Sequence, residues 1–356
     1  MDSLVKIYQG KETVHAVEGV NFEIREGEFV SIIGPSGSGK STILRMIAGF
    51  EEPTEGQVVL DRIDITKRPP FDRDTNMMFQ DLALFPNYTV SENIEYGPKQ
   101  DGVSKKERQE MAAEMLDVVQ LEGYGDRAID ELSGGEQQRV ALARCMVNRP
   151  SVVLFDEPLA SLDRQLRRQM TTELSDIQNR TGSTFLYVTH NQEVALSASD
   201  RVIVLNDGQI EQIGTPDELY HSPETEFVAN FVGDMNMFSS DVREGSAPDN
   251  PAEIPSETIT MPPGTGISDG ATSMKVGIRP HDTELVTDRE DVSDFYLEGT
   301  VRGVMFAGEE KIATVDTELG EFTAETNLDT DKGDTVFLSF GREDVHLFPT
   351  EVNNEH

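Results

Sequence analysis

Eight consecutive residues, Gly34-Pro35-Ser36-Gly37-Ser38-Gly39-Lys40-Ser41, fit the pattern G-x-x-x-x-G-K-[ST] and carry the most specific chemistry in this 356-residue chain. Glycines at this spacing let successive backbone N–H groups turn inward around a phosphate at a helix N-terminus. The Lys40 ammonium then meets the β and γ oxygens of a nucleoside triphosphate, and the Ser41 hydroxyl is a ligand for Mg2+. Ordinary residue frequencies give roughly 0.01 accidental matches in a chain this long, so a plain glycine turn beside a surface lysine is set aside. Such a site also needs a carboxylate at a strand end, and Val152-Val153-Leu154-Phe155-Asp156-Glu157 is an apolar run closed by two acids. Asp156 would organise Mg2+ and its water, and Glu157 would take a proton from water attacking the γ-phosphate. Taken alone, an acid pair of this kind is more often a helix cap or a solvated pair. The glycine loop upstream gives it the catalytic reading.

The elements that must position these groups are legible as patterns. Short β-rich stretches at 14–20 and 29–33, with a turn at 25–28, are expected to feed the glycine loop, and Ile43, Leu44, Ile47 and Ala48 recur at helical spacing just after it. Residues 88–150 read as a helical insert, with an amphipathic helix over 105–120. Apolar runs at 152–155, 184–189 and 201–205 alternate with helical patterns at 165–179 and 192–199, the signature of a parallel sheet. Residues 1–235 are therefore expected to form one α/β domain. Residues 241–273 are rich in Pro, Gly, Ser and Asp. Beyond them β-type runs at 275–278, 301–306, 311–315 and 336–340 predict a smaller all-β domain over 236–356. No period of 20 to 50 residues marks a repeat array.

Composition limits the partners. Asp and Glu number 66 against 30 Lys and Arg, a net charge of −36. The excess is shared equally, −18 on either side of residues 235 and 236. This surface repels phosphate backbones and anionic membranes, which argues against nucleic acid as a partner. Self-repulsion of this size is tolerated where screening is strong, so the charge reads as salt adaptation; an ordinary acidic cytosolic protein is the bland alternative. The one cysteine, Cys145, fits a reducing compartment and a small buried residue. With one Cys and scattered histidines, no zinc cluster is expected. No apolar run reaches 18 residues and no signal peptide is evident, so a cytoplasmic chain that meets the membrane through a partner is expected.

Leu132-Ser133-Gly134-Gly135-Glu136 lies just ahead of the acid-ended strand, and its Ser-Gly-Gly opens a helix whose exposed N–H groups form a second anion-binding end. With this segment the chain resembles the ATP-binding subunit of an ABC transporter. The resemblance covers residues 5–235 in order: Tyr8, the glycine loop through Thr42, Gln80, the signature 132–136, Asp156-Glu157, Ser161-Leu162-Asp163 and His190. It implies an α/β P-loop NTPase of ABC type with a helical subdomain near 88–150, using ATP and Mg2+. It further implies a head-to-tail homodimer, with ATP held between the glycine loop of one subunit and Ser133, Gly134, Gly135 and Glu136 of the other. Asp163 would lie beside that nucleotide. Tyr8 would stack on adenine, Gln80 would reach Mg2+ or the attacking water, residues 81–90 would meet the membrane partner, and His190 would hold the γ-phosphate. Two integral-membrane permease subunits, an extracellular solute-binding protein and a place at the cytoplasmic face of the membrane complete the implied assembly.

Val276-Gly277-Ile278-Arg279-Pro280-His281, with 297–306 and 333–340, resembles the C-terminal OB-like (TOBE) regulatory domain of importer ATPases of the maltose, polyamine, ferric-iron and sulfate groups. His281 stands where that pattern often has Glu, and the Pro/Gly-rich stretch 244–270 is longer than the pattern suggests. The junction 231–238 is similar to that of spermidine/putrescine importer ATPases, which makes polyamine the expected cargo. Sugar, ferric iron, sulfate and molybdate or tungstate remain alternatives. A DNA-repair or chromatin ABC ATPase needs a long coiled-coil insert or a basic surface, and here the signature follows the loop by only about 92 residues. A translation factor of this class would carry two sets of motifs, and one is present. The charge makes a direct prediction: raising KCl from 0.1 M to 2 M should raise the unfolding temperature by about 5 °C or more. A scan showing no change, or a fall, would refute salt adaptation.

Overall fold

The computed structural model describes residues 1–245, 251–254, 258–262, 272–306 and 311–349. By contacts the chain divides into two compact units, Met1–Leu219 and Tyr220–His356. The composition shift placed the boundary at 235/236. The intervening stretch joins the second unit because Arg279, 1% exposed, donates to the carbonyls of Tyr220 (2.9 Å), Ala229 (2.8 Å) and Asp234 (3.1 Å).

The first unit holds two larger sheets and a two-stranded hairpin. Strands β1 (Asp2–Gln9), β2 (Thr13–Val20) and β4 (Glu55–Gln57) form an antiparallel sheet in the order β2-β1-β4. Strand β3 (Phe29–Ile33) belongs to the other sheet, so β3 alone feeds the glycine loop, and the expectation that two strands do so is corrected. Alternation within a segment shows which face is apolar, not which sheet the segment joins. After the loop come α1 (Lys40–Ala48), the small hairpin β5 (Val59–Leu60) and β6 (Ile63–Asp64), and β7 (Thr75–Met78). The helical insert follows as α2 (Val90–Gln100), α3 (Lys105–Val118) and α4 (Gly134–Met146), then β8 (Val152–Asp156), α5 (Arg164–Thr181), β9 (Phe185–Val188), α6 (Gln192–Ala198), β10 (Arg201–Asn206) and β11 (Gln209–Gly214).

The main sheet has the order β11-β10-β3-β9-β8-β7, parallel except for β11. Its central strands are apolar on both faces because both are covered. Val153, Phe155, Phe185 and Tyr187 enter a core with the helical insert and α5, while Leu154, Leu186 and Val188 enter a second core with α1, β1 and β2. The two-residue alternation of a strand thus divides one segment between two cores. Cys145 sits in the first core with its thiol buried, and burial pushes the thiol pKa up to about 11.

Helix ends follow side-chain chemistry. Thr89 with Glu92, and Ser133 with Glu136, close capping boxes on α2 and α4. The C-terminal end of α1 is held from outside the helix: Arg73 donates to the carbonyls of Met46 and Ile47 at 2.7 Å each, and to those of Arg68 and Thr66.

The second unit begins at the end of α7 (Pro216–His221), continues with α8 (Glu226–Val232), and builds two sheets among the described residues. Strands β12 (Asn236–Glu244), β14 (Ile259–Met261), β15 (Thr272–Ile278) and β21 (His346–Pro349) pair in the order β14-β12-β15-β21. Strands β16 (Glu284–Val286), β17 (Phe295–Phe306), β18 (Lys311–Thr317), β19 (Gly320–Thr326) and β20 (Thr335–Phe340) pair as β16-β20-β17-β18-β19, and β13 (Ala252–Glu253) adds to β17. Phe238, Val276, Ile278, Phe295, Leu297, Val315 and Leu338 from both sheets share one core, as in a small barrel. Much of the Pro/Gly-rich stretch read at 241–273, namely 246–250, 255–257 and 263–271, lies outside the described residues.

Arg73 gives a prediction. Removing a buried guanidinium that serves four carbonyls leaves them unsatisfied, so Arg73→Ala should destabilise the first unit by about 3 kcal/mol, and Arg73→Lys, lacking the planar fork, should recover less than half. Chemical denaturation read at the first unit checks both.

Candidate active site

The glycine loop is shaped where side chains would not fit. Gly37 and Gly39 have φ of +87° and +100°, and a Cβ on Gly39 would lie 2.3 Å from the Ala16 carbonyl oxygen. Gly34 and Ser38 are buried, and Ser38 holds the loop through its N–H to Pro35 O (3.3 Å) and its carbonyl to Gly208 N (3.1 Å). Ser36 stays exposed, while Pro35 and Thr42 are half-buried. Lys40 opens α1 and is 6% exposed. Its ammonium donates to Gly34 O at 2.8 Å and Pro35 O at 2.6 Å, so the charge lies across the loop that contains it. Burial lowers the Lys40 pKa, and the nearby Glu157 and Asp156 carboxylates partly offset that.

The carboxylates arrive from β8. Ser41 Oγ donates to Asp156 Oδ1 at 3.0 Å, which couples the first turn of α1 to the strand end. Glu157 has φ of +48°, an uncommon conformation for a non-glycine residue and a local strain at the end of a buried strand. The ladder carries one step further, with Glu157 N donating to Val188 O at 3.0 Å. His190 follows β9, and its Nδ1 lies 2.8 Å from Glu157 Oε2. Lys40, Ser41, Asp156, Glu157 and His190 thereby converge outside the carboxyl ends of β3, β8 and β9, where open α/β sheets bind ligands.

Other residues singled out in the sequence lie on further elements. Gln80 is exposed in the turn after β7. Tyr8, on β1, is 37% exposed, with the Lys6 ammonium 5.0 Å from its ring centroid. Asp163 caps α5, accepting from Leu166 N at 3.0 Å. Ser133 and Gly134 are exposed at the start of α4 and Gly135 is buried. Glu136 accepts from Ser133 N at 2.8 Å and from Ser133 Oγ at 2.7 Å. These bonds, with a third from the Tyr124 hydroxyl, hold its carboxyl below the usual range. Sequence reading did not anticipate the Glu157–His190 hydrogen bond, nor Arg167, whose guanidinium donates to Leu162 O at 2.6 Å and Leu159 O at 3.3 Å. No local pattern distinguishes Arg167 from its neighbours on an exposed helix face.

The donor set fits Mg2+. Ser41 Oγ and Asp156 Oδ1 are hard oxygen ligands already adjacent, and a Mg2+ site of this type is completed by phosphate oxygens and water. Among the described residues no group of three or more His, Cys, Asp or Glu side chains is set to hold a metal by itself.

A buried lysine threaded through a glycine loop, a strand-end acid pair and a capped Ser-Gly-Gly helix define a P-loop ATPase of the ATP-binding-cassette class. Comparison with known proteins agrees. Residues 17–160 match the ABC transporter family and residues 276–348 match the TOBE domain. The chain is 44% identical over 363 residues to the spermidine/putrescine import ATP-binding protein PotA of Thermobifida fusca, covering 98% of this chain and 93% of that one. It is 41% identical over 331 residues to the PotA protein of Bacillus cereus, covering 91% and 92%. Among solved structures, a dimeric post-hydrolysis ATP-binding cassette bound to ADP and Pi matches with a TM-score of 0.53 and 36% identity, covering 60% of this chain and 97% of that one. The chain belongs to the ATP-binding proteins of ABC transporters that carry a C-terminal TOBE domain. It binds and hydrolyses ATP, and that hydrolysis is coupled to transport, as the order of motifs indicated.

Lys40→Ala should weaken ATP binding about 100-fold, the loss of roughly 3 kcal/mol that a charge-assisted contact supplies. Isothermal titration with ATP checks it, and unchanged affinity would remove Lys40 from the site.

Proposed function

We propose that this chain is the ATP-hydrolysing subunit of an importer for polyamines of the spermidine/putrescine type. It would work as a homodimer beneath two membrane permease subunits that receive cargo from an extracellular solute-binding protein. The observation that carries the hydrolytic part is the hydrogen bond between Glu157 and His190 beside the joined Ser41 and Asp156. The polyamine part is supported by the relatives, which are spermidine/putrescine import ATP-binding proteins and cover nearly the whole chain. Attachment at the cytoplasmic face through the permeases is supported by the relatives' role as import ATP-binding proteins; among the described residues no helix is long and apolar enough to cross a membrane.

In this reading the glycine-loop N–H groups and Lys40 grip the β- and γ-phosphates, and Tyr8 offers its ring to adenine. Mg2+, held through Ser41 and Asp156, would neutralise charge on the β- and γ-phosphate oxygens, and Gln80 would reach the metal or the attacking water. Glu157 takes the proton from the attacking water. The water oxygen bonds to the γ-phosphorus as the bond between that phosphorus and the β,γ-bridging oxygen breaks, and ADP and phosphate are left. His190 fixes the Glu157 carboxylate through Nδ1 and turns its other ring nitrogen towards the γ-phosphate. Ser133 to Glu136 at the start of α4 cannot complete the site of their own chain. A second copy brings them to the γ-phosphate head to tail, with Asp163 lining the shared face. The matching cassette with ADP and Pi is dimeric, which supports this arrangement.

Glu157→Gln keeps the shape of the side chain and removes the base. Turnover should fall about 10³-fold while an ATP-bound dimer accumulates, visible by light scattering. Unchanged turnover would strip Glu157 of this role. Cargo is tested in proteoliposomes with the cognate permeases and solute-binding protein. Spermidine should stimulate ATP hydrolysis, and stimulation by maltose, sulfate or ferric iron instead would overturn the polyamine assignment.

A further inference from the structure

Gln138 is 3% exposed and lies on α4, one turn beyond the Ser133-Gly134-Gly135 helix start. Its Nε2 donates to the carbonyl of Pro158 at 3.0 Å, and its Oε1, also buried, has no hydrogen-bond partner. Pro158 directly follows Glu157. A proline carbonyl can only accept, so the amide must present nitrogen to it and leave the oxygen unpaired, an arrangement that costs stability and persists where position matters. The segment from Glu157 to Asp163 has other ties. Val188 holds Glu157 N, Arg167 holds Leu159 O and Leu162 O, and Leu166 N binds Asp163. Those come from β9 and α5, whereas the tie from Gln138 comes from the signature helix.

We infer that Gln138 is a positioning residue that couples the two nucleotide sites of the dimer. This rests on the head-to-tail reading above. In that reading the start of α4 touches the nucleotide bound by the partner subunit, while Gln138, on the same rigid helix, touches the backbone beside this subunit's own general base. A shift of α4 on meeting the partner's γ-phosphate is transmitted through the Gln138–Pro158 bond to the strained Glu157 backbone. Each site then reports its occupancy to the other through one amide, and the unpaired Oε1 gives that amide a second bond to gain when α4 moves.

The test uses the full-length chain with Gln138→Met, which keeps length and volume and removes both the donor and the unpaired acceptor. Its unfolding temperature should fall only slightly, because removal of the buried orphan Oε1 offsets part of the cost of leaving the Pro158 carbonyl unpaired. The affinity of a single subunit for ATP should be unchanged, kcat should fall about tenfold, and the Hill coefficient for ATP should drop from near 2 towards 1. Gln138→Asn, too short to reach Pro158 yet still polar, should show the same kinetic pattern. Wild-type kcat and Hill coefficient in both variants overturn the coupling, whatever happens to their stability. If the Glu157→Gln chain forms no ATP-dependent dimer, the two-site reading itself fails, and the coupling fails with it.

Discussion

Parallel in-register pairing of β8 with β9 is the constraint on which the site depends. Phe155 faces Tyr187 and Asp156 faces Val188, so the acid pair and the histidine leave the sheet at the same level. A slip of one residue would send Asp156 and Phe155 to each other's faces, placing a carboxylate in the helical core and a phenyl ring beside Ser41. The register is secured from both sides, since each strand gives alternate residues to two separate cores. Chemistry at the sheet edge is therefore held by apolar packing well behind it.

The loop and the carboxylates do not meet by chance of sequence. Arg73 pins the far end of α1 by its last carbonyls, while Ser41 at the near end bonds Asp156, so the helix is fixed at both termini. The Lys40 ammonium, bonded to two loop carbonyls, gives the glycines a polar centre around which to turn. Strain then gathers at one non-glycine residue of the site, Glu157, whose positive φ is stabilised by the ladder bond to Val188 and the flanking tie at Pro158.

What could be read in the sequence was whatever is local. The glycine loop is contiguous and its chemistry follows from spacing, so Lys40, Ser41 and the helix after them were legible, as were the buried strands and the capped start of α4. The helix expected over 105–120 ends at Val118, because Gln120 takes a positive φ of 58° that no apolar period records. What was not legible rests on partners far away in sequence. Arg73 serves carbonyls more than twenty residues back, Gln138 serves a proline twenty residues on, and Arg279 draws Tyr220 and Ala229 into the β-rich unit from 59 and 50 residues away. The placing of β2 in a separate sheet belongs to the same class, since pairing is a property of two segments together.

The chain's one thiol, Cys145, is enclosed in the helical core with its ionisation suppressed. Thiolate is the reactive form, so thiol-directed maleimides find no reactive cysteine on the folded protein. A cysteine introduced on any exposed face would be labelled against a silent background. Distances between paired spectroscopic probes can then follow the catalytic cycle without first deleting a native side chain.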